Sequence, residues 1–78
     1  MSDYENIKLW LWTDIRSAQA AIVRLTKDIA QDDAWVTEFS ETNPETAEYY
    51  RKSKTATEGR VEYLKRHLDS LQRRLATL

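Results

Sequence analysis

The chain predicts an all-α fold: an antiparallel two-helix hairpin, coiled-coil-like, that dimerises into a four-helix bundle. Three observations carry that expectation. The 78 residues include one glycine and one proline, too little turn chemistry for a β-rich fold. Apolar residues recur in alternating steps of three and four along both halves of the chain, the signature of a heptad seam. The single proline stands in Ser40-Glu41-Thr42-Asn43-Pro44-Glu45, the one segment dense in capping and turn residues.

The first helix is expected over about residues 3–40. Ser2-Asp3-Tyr4-Glu5 has the Ser-x-x-Glu spacing of a capping box, in which a hydroxyl and a carboxylate satisfy free backbone N–H groups reciprocally. The seam runs through Tyr4, Lys8, Leu11, Ile15, Ala18, Ile22, Leu25, Ile29, Asp32, Val36 and Phe39. Asp32-Asp33 is its weakest point. The turn is expected at residues 40–44, because proline lacks an N–H and is tolerated only in the first turn of the helix that follows. Thr42 or Asn43 caps that second helix, and Thr42-x-x-Glu45 fits a second capping box.

The second helix is expected over about residues 44–77, with a seam of Ala47, Tyr50, Lys54, Thr57, Val61, Leu64, Leu68, Leu71, Leu75 and Leu78. Gly59 is its weakest point, costing about 1 kcal/mol relative to alanine. Folding the chain at Asn43 brings together seam residues whose numbers sum to 86, such as Leu11 with Leu75 and Ile15 with Leu71. In that register Asp32 meets Lys54, a charged layer that would set alignment at some cost in stability. On the flanks Asp14 faces Arg74, Asp28 faces Arg60 and Asp33 faces Arg51. A parallel homodimer of single helices would instead set Asp28 against Asp33 and Arg60 against Lys65, both repulsive. The hairpin is preferred.

Residues 1–78 therefore read as one helical domain. At this length a single core seldom supplies more than about 3–5 kcal/mol without staples or association. There are no cysteines, which removes disulfides and thiolate metal sites. The net charge of −1 argues against a dedicated basic nucleic-acid binder. No apolar run approaches a membrane span and no signal-peptide pattern opens the chain, so a cytoplasmic location without membrane contact is expected.

Nothing in the chain points to catalysis. His67 is the only histidine, and Glu62, five residues away, lies on another face, unlike the Glu-x-x-His pair of di-iron bundles. No glycine-rich phosphate loop, nucleophile elbow or activated hydroxyl is present. A non-enzyme without cofactor or metal is expected.

The apolar surplus is the functional clue. A two-helix seam uses only a and d positions, yet Trp10 falls at c, Trp12 at e and Trp35 at g. Ile7, Ala21, Trp35, Tyr49, Ala56 and Tyr63 lie on the g/c side of the hairpin, whereas Leu9, Trp12, Val23 and Ala30 lie on the e/b side. Tryptophan and tyrosine dominate interface energetics because they bury large area with little rotamer entropy. Leu9, Trp10, Trp12, Trp35, Tyr49 and Tyr63 are thus the candidate protein interface. The expected partners are a second copy of the chain and another protein, and the expected role is an adaptor, inhibitor or assembly factor.

The alternative is a nucleic-acid or nucleotide-binding regulator. Residues 1–45 carry four basic and nine acidic side chains, and residues 46–78 eight basic and four acidic. Arg51, Lys52, Lys65 and Arg66, with tyrosines nearby, would be the contacts. The plainer reading of the split is an acidic helix neutralised by a basic one.

Overall fold

The structure, a computed structural model, describes residues 3–78. The Ser2 half of the first capping box therefore lies outside the described residues. Two long helices account for nearly all of them: α1, Asp3–Phe39, and α2, Pro44–Ala76. They pack side by side as an antiparallel hairpin 61 Å long and 15 by 13 Å across.

The turn is built from the expected residues, and of the two candidate caps Asn43 is the one used. Asn43 is the cap: the Thr46 backbone N–H donates to its Oδ1 at 3.2 Å, and its backbone is extended at φ −149°. Thr42 precedes the cap instead of providing it. Asn43 N–H donates to the Phe39 carbonyl at 2.8 Å, closing the end of α1, and Ala47 N–H donates to the Asn43 carbonyl at 3.0 Å, opening α2. Pro44 sits at the first helical position, where its missing N–H costs nothing.

Burial follows the heptad seam. Leu11, Ile15 and Ala18 on α1 and Ala47, Val61 and Leu71 on α2 are buried, every one at an a or d position. Ile22, Leu25, Ile29, Val36, Phe39, Tyr50, Thr57, Leu64, Leu68 and Leu75 are half-buried. Leu11, Ile15 and Leu71 form a continuous cluster with Leu68 and Leu75 packed on it. That cluster lies at the open end of the hairpin, where the Tyr4 hydroxyl also donates to the Leu78 carbonyl at 3.0 Å. The seam frays at its outermost layer, since Lys8 and Leu78 are exposed.

The charged layer departs from expectation. Lys54 Nζ reaches Asp33 Oδ1 at 2.9 Å, not Asp32, its expected register partner. Lys54 lays its stem along the seam, its side chain 31% exposed, and carries the ammonium out to a carboxylate 63% exposed. A charge that snorkels to water avoids the desolvation cost of a buried pair. The Asp33 hydrogen bond and its negative charge hold the Lys54 pKa above the ordinary lysine value, with Glu58 adding to the effect.

The flank pairs also differ. Arg51 pairs with Glu48 on its own helix at 3.2 Å, and Asp33 is taken by Lys54. Among the described residues, Asp14, Asp28, Arg60 and Arg74 form no ion pair. In water such pairs gain a few tenths of a kcal/mol, which the entropy of holding two long side chains readily offsets.

Candidate protein-interaction surface

A seam that occupies two positions in seven leaves five facing outward on each helix, and their chemistry decides what the hairpin can bind. At the open end, Leu9 is 64%, Trp10 72% and Trp12 50% exposed. They occupy three consecutive outward positions of one helical stretch, so their side chains fan around α1. Leu9, Trp12, Thr13 and Arg16 line one shallow depression, and Trp12 lines a second with Ile15, Gln19, Gln72 and Leu75. Trp12 therefore bridges from the free face of α1 to the edge of the seam. Trp10 points away from both. Arg73, near the same end of α2, pairs with Asp69 on its own helix at 3.0 Å.

Tyr49 and Tyr63 are 67% and 63% exposed on the outer side of α2. Both stand at c positions, fourteen residues apart on one face. Tyr63 stacks on His67 with ring centroids 6.2 Å apart and planes within 3°, so the lone histidine serves as a platform for an aromatic neighbour one turn on. The Tyr49 ring meets Tyr50 edge-on at 5.2 Å.

Trp35 behaves differently from its expected role as an exposed interface residue. It is half-buried, stacked on Phe39 at 5.5 Å and on Tyr50 at 6.0 Å, while Phe39 and Tyr50 lie 6.3 Å apart. The indole is large enough to lean from its g position over the adjacent seam layer. These rings close the turn end with apolar contact that neither helix could supply alone. Heptad lettering misses the cluster because it assigns a direction but not a reach. The available signal was the spacing of four between Trp35 and Phe39, which stacks rings on one helix face; Tyr63 and His67 share it.

The basic residues are dispersed. Arg51 and Lys65 sit beside Glu48 and Glu62, at 3.2 and 3.9 Å. Lys52 and Arg66 are exposed on the back of α2, about 21 Å apart along a helix rising 1.5 Å per residue. No group of three or more His, Asp or Glu side chains among the described residues is placed to hold a metal ion, and none of the described helices is long and apolar enough to cross a membrane.

On the g/c side, Asp14, Ser17, Ala18 and Ala21 of α1 face Leu64 and His67 of α2 across a shallow groove. Its floor is made of small side chains; Ile7 and Trp10 lie on the same side toward the open end, Tyr63 lies beside the groove, and Tyr49 lies farther along that side, at the turn end. What the arrangement offers chemically is apolar and aromatic area with sparse charge. In comparison with known proteins, the chain matches no family model, no curated protein and no solved structure.

Proposed function

We propose that this chain is a non-catalytic protein-interaction module, of the adaptor, inhibitor or assembly-factor kind, that works through its exposed tryptophan and tyrosine surface and associates with itself. The observation that carries the reading is the exposure of Leu9, Trp10 and Trp12 together at the open end. A soluble monomer seldom leaves this much apolar area uncovered at one end, and Arg16, which lines one depression with Leu9 and Trp12, leaves both of them half or more exposed. The acidic neighbours of Arg51 and Lys65 reduce the positive potential on which the nucleic-acid alternative depends.

Light scattering of the purified chain at micromolar concentration tests the self-association. An oligomer is expected. A well-folded monomer overturns that part of the reading, and a salt-sensitive complex with DNA or RNA in its place supports the alternative. Trp10→Ala with Trp12→Ala separates surface from core: the variant is expected to remain helical by circular dichroism. Loss of helicity would assign both tryptophans to the fold itself and remove the main support for the reading.

A further inference from the structure

We propose that a second copy of this chain covers the g/c face, lying parallel to the first with both turns at the same end. This inference rests on the self-association proposed above and specifies its face and orientation.

Area provides the first argument. A compact 9.2 kDa monomer exposes about 4,900 Å², whereas this hairpin exposes 6102 Å². The surplus, about 1,200 Å², exceeds the roughly 800 Å² that each partner contributes to a standard interface. Among the described residues, only the g/c side presents large apolar residues from both helices: Ile7, Trp10 and the edge of Trp35 from α1, Tyr49 and Tyr63 from α2. On the e/b side α2 contributes Glu48, Glu58, Glu62, Lys65 and Asp69.

Charge decides the orientation. Two hairpins packed face to face can be related by an axis along the bundle or across it. With the axis across, turns lie at opposite ends, and the acidic α1 packs against another α1. With the axis along the bundle, turns lie together and each α1 sits between its own α2 and the α2 of the second copy. Acidic and basic helices then alternate around all four positions. In this arrangement every residue keeps its level, so Asp28 lies beside the second copy's Arg60 and Asp14 beside its Arg74. These are the four g-position charges that form no ion pair among the described residues.

Shape agrees. The second copy's Tyr63 comes level with Ala21, at the small-residue groove of Ser17, Ala18 and Ala21. Its Tyr49 comes level with Trp35, extending the aromatic stack already formed with Phe39 and Tyr50. Large side chains thus meet small ones in the middle and rings meet rings at the turn end. Leu9 and Trp12, on the e/b side, stay outside this interface.

A nitroxide on Thr42→Cys, in the exposed turn of a chain without other cysteines, tests the orientation by electron–electron distance measurement. Helices in a bundle lie 8–10 Å apart, so a label separation below about 30 Å is expected. A separation near the 61 Å molecular length overturns the proposed orientation while leaving self-association intact. Sedimentation equilibrium tests the face: Tyr63→Ala is expected to weaken the dimer at least tenfold, and Leu9→Ala less than twofold. The reverse order assigns the interface to the e/b side and overturns the proposal. A monomeric wild-type chain overturns both this inference and the self-association beneath it.

Discussion

At the scale of single residues, the hairpin separates what a position is called from how far its side chain reaches. Lys54 holds a seam position, yet its ammonium bonds Asp33, one residue beyond the expected Asp32. A four-carbon stem spans that difference, and the more exposed carboxylate requires less desolvation. The interaction has a definite pH signature. Because Asp33 raises the Lys54 pKa in the folded chain, the charged form is favoured by folding. Its contribution is fully present below the unfolded lysine pKa, about 10.4, and is lost as pH rises through the higher folded value. Denaturant unfolding of the wild type and of Lys54→Met between about pH 9 and pH 12 isolates it. The difference in stability between the two proteins is expected to be constant below the unfolded pKa and to shrink above it. A difference that is flat across the range would mean the ion pair contributes nothing to folding.

At the scale of the helices, most of the architecture was legible in the sequence because the heptad period maps directly onto burial. Each of the six buried apolar residues lies in the seam, and the break falls at the only proline. What could not be read was set by competition among near-equivalent groups. Thr42 and Asn43 both satisfy the preferences of a cap, and the backbone of Asn43, extended just before Pro44, decides in its favour. Asp14 and Asp28 on α1 stand opposite in sign to Arg74 and Arg60 on α2, as interhelical pairs should, but solvent competes for them and no pairing results among the described residues. The letter of Trp35 points it outward, and its size brings it inward onto Phe39 and Tyr50. Two substitutions test the element-level account. Asn43→Ala removes the side-chain acceptor for Thr46 N–H and is expected to cost about 1 kcal/mol in denaturant unfolding. Gly59→Ala is expected to gain about 1 kcal/mol, because Gly59 is exposed in mid-helix and an added Cβ meets nothing within 4 Å. At this chain length such a gain raises the melting temperature by about 4–8 °C. A loss instead would mean that the back of α2 is covered by something that needs the missing side chain.

At the scale of the whole molecule, the hairpin is a rod one helix pair thick, with no third layer over its seam. The six apolar side chains buried among the described residues are few against the conformational entropy of ordering a chain of this length, so much of the stability is expected to come from whatever covers the outer rings. The same side chains would then stabilise the fold and define the interface, which explains why the tryptophans and tyrosines read as surplus when the hairpin is considered alone. This view makes a concentration-dependent prediction. Association that favours the folded state stabilises it by mass action, so folding of a dimer strengthens by about 1.4 kcal/mol for each tenfold rise in chain concentration. Thermal unfolding followed by circular dichroism from about 1 to 100 μM is expected to shift upward by several degrees per decade. Tyr63→Ala is expected to flatten that dependence by weakening the dimer, whereas Gly59→Ala should raise the whole curve without changing its slope, since Gly59 faces away from the g/c side. High salt should lower the curve modestly at every concentration, because the alternating acidic and basic helices attract through solvent-exposed charges that ions screen. A melting temperature independent of concentration would place the full stability of the fold within the two helices and leave the exposed rings free for a partner other than the chain itself.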